Sequence, residues 1–276
     1  MTSKPARDRV APIITTGHDN IATAFSARGG SAALMPYLMG GFPDMRTSLG
    51  IGLACADNGA DLVELGIPYS DPLADGPVIH AAGTTALRAG ATLDGVLGVA
   101  EELSRRLPVV LMGYVNLVLA RSPDGFASTA AAAGVSGLIV PDLPLEEGEE
   151  IREACEAHGI ALVPLVAPTT PDDRLAAIGA RARGFLYTVS VVGTTGERET
   201  DEDAVRALLA RVHAHSEVPV AIGFGISTPA QAAAAARAGA DGVIVGTRLV
   251  RAAAEADDPA AAVGELVAGL AAGLIR

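Results

Sequence analysis

Val63-Glu64-Leu65-Gly66-Ile67-Pro68-Tyr69-Ser70-Asp71-Pro72-Leu73-Ala74-Asp75-Gly76-Pro77 contains one copy of the pattern from which the chain is built. An apolar run of strand type, starting at Leu62, breaks at Gly66. A proline-punctuated acidic segment follows, and from Pro77 to Arg88 the apolar spacing turns helical. The segment between exceeds the roughly 4–6 residues usual for connections, and long connections tend to carry function. It brings three carboxylates together: Glu64 in the strand, Asp71 and Asp75 in the loop. For the two aspartates a solvated acidic loop is the simpler reading. Glu64 is different, because Leu62, Val63, Leu65 and Ile67 surround it with core residues, and a buried charge is costly unless something compensates it.

The same strand-type run recurs along the chain. The runs are Leu34–Gly40, Leu62–Gly66, Val109–Tyr114, Gly137–Val140, Ala161–Ala167, Gly184–Ser190, Val218–Phe224 and Gly242–Gly246. Between them lie helical segments with start and stop signals: Asp44 before a helix ending at Asn58–Gly59, Glu146 to His158, Thr170-Pro171-Asp172-Asp173 as an opening, and Ser227-Thr228-Pro229 before an alanine-rich helix stopping at Gly239. The runs are apolar throughout rather than alternating, the mark of a parallel sheet covered on its faces. Their starts are spaced by about one strand–helix unit, except for the 47 residues between the second and third, where Pro77–Arg88 and Thr92–Arg106 both read as helices. Eight such units predict a single α/β (β/α)8 barrel with extra helices. The rival is a doubly wound open sheet, whose Gly-x-Gly-x-x-Gly fingerprint Gly40-Gly41-Phe42-Pro43 does not match. The expected organisation is a loose tail over residues 1–17 and one barrel domain over 18–276.

In such a barrel, function gathers at the C-terminal ends of the strands. Those positions hold Glu64 (strand two), Tyr114 and Asn116 (three), Pro141-Asp142 (four), Tyr187 with the loop Val192–Glu197 (six), Gly223-Phe224-Gly225-Ile226-Ser227 (seven) and Gly246-Thr247-Arg248 (eight). Glycines that lead into helix N-termini leave backbone N–H groups open to an anion, favoured there by the helix dipole. The mouth thus reads as a phosphate grip facing buried carboxylates, a site for acid–base chemistry on a small phosphorylated substrate. No lysine ends a strand, which argues against a Schiff-base aldolase.

Composition narrows the classes. The net charge of −12 without a Lys/Arg-rich run argues against nucleic acid, and no apolar stretch has the ~18 residues of a membrane span. The N-terminus lacks the apolar run of a secretory signal. Cys55 and Cys155 stand apart and read as reduced, buried thiols of a cytoplasmic protein. His18, His80 and His158 are scattered, and His213 and His215 do not share a helix face, so no metal site is expected.

The stretch from Val63 to Pro77 closely resembles the signature of the tryptophan synthase alpha chain. The likeness extends through Pro36-Tyr37, Gly41-Phe42-Pro43, Tyr114-Val115-Asn116, Pro141-Asp142-Leu143-Pro144, Thr195-Gly196 and Gly223–Ser227, in order, from about residue 20 onward. The resemblance implies a lyase of tryptophan biosynthesis, cleaving indole-3-glycerol phosphate to indole and glyceraldehyde 3-phosphate without a cofactor of its own. It implies Glu64 as the acid–base group and Asp75 as the acceptor of the indole N–H. It further implies phosphate binding by Thr195, Gly196, Gly225, Gly246 and Thr247, and a substrate pocket lined by Tyr37, Met112, Tyr114 and Tyr187. Pro68 and Asp71 would face a beta chain carrying pyridoxal phosphate, in an α2β2 tetramer. Asp142 and Asn116 read as structural or interface residues. Thr247 replaces the family's usual serine, and Glu197 stands where a small residue is more usual. Two other functions stay open: a different phosphate-binding barrel enzyme of amino-acid biosynthesis, disfavoured by the lack of its usual Lys or paired Asp on strands one and five, and a barrel serving mainly to activate its partner.

Overall fold

The structure, a computed structural model, describes residues 16–189, 202–223 and 225–274. Its strands are β1 (Ala33–Met39), β2 (Val63–Gly66), β3 (Val109–Met112), β4 (Val135–Ile139), β5 (Ala161–Val163), β6 (Leu165–Val166), β7 (Leu186–Val189), β8 (Val220–Gly223) and β9 (Gly242–Val245). All pairings are parallel, in the order β5-β4-β3-β2-β1-β9-β8-β7-β6. The expected fifth run is divided at Pro164, which has no N–H to give to a ladder. Its two halves form the two ends of the strand order, so the ring of eight units closes through that proline. The third run stops at Met112, short of Tyr114, which instead precedes helix α5 (Val115–Leu119).

Helices follow the expected signals. Asp44 caps α2 (Met45–Asp57) by accepting from the Thr47 N–H, and Thr92 caps α4 (Leu93–Ser104). Thr228 and Gln231 form a reciprocal capping box on α10 (Pro229–Arg237). The long second-to-third interval holds α3 (Pro77–Arg88) and α4. The acidic-first helix begins at Glu149 rather than Glu146, as α7 (Glu149–Ala157).

Of the expected tail, residues 1–15 lie outside the described residues, while Thr16 caps α1 (Gly17–Ser26) and Gly17 is its buried first residue. That helix seals the N-terminal end of the barrel. A Cβ added at Gly137 or Gly184 would meet Ile21, and one added at Gly242 would meet Phe25. Two turns of the repeat are anchored alike at this end. The Leu34 N–H donates to Asp61 Oδ2 and the Val220 N–H to Asp241 Oδ2, both at 2.8 Å. In return the Asp61 and Asp241 N–H groups donate to the Leu34 and Val220 carbonyls, both at 2.9 Å. This bond explains why Gly59-Ala60-Asp61 and Gly239-Ala240-Asp241 repeat: the glycine ends the helix at positive φ and the aspartate fastens the next strand to its neighbour.

Candidate active site

Glu64 sits in the middle of β2, flanked in register by Tyr37 of β1 and Val110 of β3. It is 1% exposed, and neither carboxylate oxygen has a hydrogen-bond partner among the described residues. Burial, reinforced by the negative charge of Asp75, pushes its pKa up to about 8. The buried phenols of Tyr37 and Tyr187 are likewise pushed up by desolvation, with Glu64 adding to both. Glu64, Tyr37 and Tyr187 are thus buried within electrostatic reach of one another, with the partly buried Asp75 acting on Glu64 and Tyr37.

Glycine makes room for these rings. A Cβ at Gly66 would collide with the Tyr37 hydroxyl, and one at Gly223 would lie 2.6 Å from Tyr187 Oη. Each tyrosine is thus laid over the end of the neighbouring strand.

Asp75 is partly buried on the β2–α3 loop. Tyr114 Oη donates to Asp75 Oδ1 at 2.9 Å and accepts from the Ala74 N–H at 3.0 Å. Burial raises the Asp75 carboxyl, while the Tyr114 bond opposes that shift. Tyr114 in turn stacks on Tyr69, ring centroids 5.2 Å apart, and Tyr69 Oη accepts from Asn116 Nδ2 at 2.9 Å. Asp142 accepts from the Val115 N–H at 2.9 Å. The acidic loop is therefore tied to the start of α5 at several points. Sequence reasoning placed Tyr114 only as pocket lining; its bond to Asp75 had no signal in the chain.

Further along the loop, Asp71 is exposed and accepts from its neighbour Ser70 Oγ. Pro68, expected to face outward with it, is buried within the chain. The outward side is carried instead by Asp71 and by Leu73, 87% exposed. Met112 is partly buried at the end of β3.

Beyond β1, at the C-terminal ends of β9 and β8, Gly225 follows β8 at φ 79°, in the left-handed region that favours glycine. Gly246 is the N-cap of α11 (Thr247–Glu255), with Thr247 exposed as its first residue. The first N–H groups of that helix have no carbonyl within it to bond. Thr195, Gly196 and Glu197 lie outside the described residues. No group of three His, Cys, Asp or Glu among the described residues could hold a metal ion. Cys55 and Cys155 are free and buried, their thiols pushed up to about 12 by desolvation. No described helix is long and apolar enough to cross a membrane.

Comparison with known proteins agrees with this arrangement. The family model described as tryptophan synthase alpha chain matches residues 24–271. The tryptophan synthase alpha chain of Prochlorococcus marinus (strain MIT 9313) is 48% identical over 253 residues, covering 90% of this chain and 92% of that one. That of Synechococcus sp. (strain CC9902) is 50% identical over 231 residues, covering 83% and 86%. Among solved structures, a chain of Mycobacterium tuberculosis tryptophan synthase superposes with a TM-score of 0.86 at 40% identity, covering 93% and 98%. A chain from the tryptophan synthase a2b2 complex of the hyperthermophile Pyrococcus furiosus gives 0.82 at 38% identity, covering 87% and 97%. With the barrel, the buried Glu64 and the matched length in agreement, this chain belongs to the tryptophan synthase alpha chain family.

Proposed function

We propose that Glu64 and Asp75 carry out, in this chain, the family's lyase reaction: cleavage of indole-3-glycerol phosphate to indole and glyceraldehyde 3-phosphate. The bond to be broken joins C3 of the indole to a hydroxyl-bearing carbon of the glycerol chain. The ring leaves as neutral indole only if C3 gains a proton, and the aldehyde forms only if the hydroxyl loses one. A single group serves both ends. Protonated Glu64 gives its proton to C3, its carboxylate then takes the hydroxyl proton as the C–C bond breaks, and the acid is regenerated. Asp75 accepts the indole N–H and stabilises the positive charge that C3 protonation places on the ring. Tyr37, Met112, Tyr114 and Tyr187 would line the space between, excluding water.

The observation that carries this reading is the raised pKa of Glu64, about 8, at a buried position without a hydrogen-bond partner. A carboxyl so placed is protonated at neutral pH and able to begin the cycle as an acid. Gly225, Gly246 and Thr247, with Thr195 and Gly196, would hold the phosphate through backbone N–H groups. The opposed loop, with Asp71 and Leu73 outward, would face a beta chain bearing pyridoxal phosphate in an α2β2 assembly. That proposal is supported by the Pyrococcus furiosus relative, described as part of such a complex. The reading takes the barrel as a single catalytic domain acting in the cytoplasm. The pH dependence of indole release tests it: kcat/KM should fall as pH rises through about 8, and a profile that rises there would refute Glu64 as the initiating acid.

A further inference from the structure

A cavity of about 190 Å3 lies on the outer flank of the barrel, between α7 and α8 (Asp172–Gly179). In a (β/α)8 barrel the outer faces of the strands are normally covered by the helices. Here two short helices leave Leu162 and Leu165, on either side of Pro164, only partly buried. Leu143 and Leu145 of the β4–α7 connection form the adjoining apolar wall.

The rim is basic, although the chain as a whole carries a net charge of −12. Arg152, Arg174, Arg181 and Arg183 line the cavity, against Glu149 and Glu156. Arg174 is engaged in a two-pronged pair with Glu146, at 2.7 and 3.0 Å. Arg152 is held by Glu149 and Glu156, and Arg183 lies 3.7 Å from Glu156. The Arg181 backbone N–H donates to the Ile178 carbonyl at 3.0 Å. Its guanidinium is near enough to lower the pKa of Glu146 and Glu149, without a side-chain hydrogen bond or close ion pair among the described residues. One guanidinium of the rim thus has no bonded carboxylate beside the apolar floor.

We propose that this groove is a binding site for a small amphipathic carboxylic acid, whose apolar ring lies on Leu162 and Leu165 and whose carboxylate pairs with Arg181. The size fits one or two rings. The hollow exceeds the ~150 Å3 that accommodates benzene and falls below the ~300 Å3 of sites for drug-sized ligands. The fork of the guanidinium matches a carboxylate in two-pronged geometry, which selects the acid over a neutral analogue. None of the Glu–Arg pairs of the rim has to break for it to bind. The site is separate from the mouth: none of Glu64, Asp75, Gly225, Gly246 or Thr247 lines it.

Calorimetric titration of the full-length protein with 3-phenylpropanoate tests the proposal, with 3-phenylpropan-1-ol as the neutral control. The acid should bind in the millimolar range or tighter, and the alcohol at least about tenfold more weakly, as loss of a charge-assisted pair predicts. Arg181→Glu, an exposed change that leaves the floor intact, should weaken the acid by a similar factor. Leu162→Trp, which fills the groove, should abolish binding of both. No heat from the acid up to about 10 mM, equal affinities for acid and alcohol, or unchanged binding in Arg181→Glu would each overturn the proposal.

Discussion

Tyr114 holds Asp75: its hydroxyl donates to Asp75 Oδ1 at 2.9 Å while accepting the Ala74 N–H at 3.0 Å, so one phenol fixes both the carboxylate and its backbone. Tyr114 itself is seated on Tyr69, whose hydroxyl is bound by Asn116. The Asp75 end of the loop and its outward-facing end are therefore braced at the start of the same short helix.

Tyr114→Phe removes both bonds and keeps the ring. A hydrogen bond to a charged group contributes about 1.5–3 kcal/mol, so kcat/KM for indole release should drop roughly tenfold to hundredfold. The Asp75 carboxyl should titrate higher, because the Tyr114 bond now holds it down. Kinetics together with a carboxyl-carbon NMR titration would check both. Unchanged kcat/KM would mean that Asp75 is positioned without this bond.

The buried carboxyl of Glu64 makes stability depend on pH. The group titrates near 4.5 when unfolded and near 8 when folded, so between those values the folded state binds more protons. Stability therefore falls as pH rises across that window, and the loss from this group is complete above the folded pKa. Glu64→Gln is neutral throughout. Its melting temperature should match wild type at about pH 4, rise above it progressively, and stay level above about pH 8. A constant difference across that range would show that Glu64 ionises normally in the fold.

Gly66 and Gly223 are set by the tyrosine hydroxyls beside them. Gly66→Ala should destabilise the fold by about 1–3 kcal/mol through overpacking and lower kcat/KM, because Tyr37 must leave its position. Adding Tyr37→Phe removes the clashing oxygen and should recover part of the lost stability in thermal unfolding. No recovery would place the strain on the ring itself, whose Cζ would lie 2.8 Å from the new Cβ.

At the other end of the barrel, Asp61→Ala and Asp241→Ala each strip a strand N–H of its acceptor. An unsatisfied buried donor costs about 1–3 kcal/mol, so each variant should lose that much stability in urea unfolding. Activity per folded molecule should stay intact, since these aspartates are remote from the mouth. A selective loss of activity would contradict that separation.

The barrel was legible because its units repeat: uniformly apolar runs, capped helices and glycine stops recur at one spacing, and each signal is local. Proline at 164 was legible as a residue but not as a break, because whether a strand divides depends on the neighbours its missing N–H would have met. Glu64 could be singled out because a carboxylate inside an apolar run violates the pattern around it, whereas Asp75 stood out from Asp71 only through the family resemblance. What tied the Asp75 loop to Tyr114 and Asn116 could not be read, since those contacts join residues 39 to 47 positions apart. Pro68, which the resemblance put on the side facing a beta chain, is buried within the chain by the packing of the loop, which no local signal shows. The flank groove had no signal either, because its arginines come from separate segments that the fold assembles.

The most direct test of Glu64 as the proton carrier is indole release from indole-3-glycerol phosphate by Glu64→Gln, measured beside the binding of glycerol phosphate. The change keeps the shape of the side chain and removes its proton exchange. The account predicts a fall in turnover of about 10²–10⁴-fold, the usual contribution of a positioned acid–base group, with glycerol phosphate binding unchanged. Turnover by Glu64→Gln within a few-fold of wild type would contradict it.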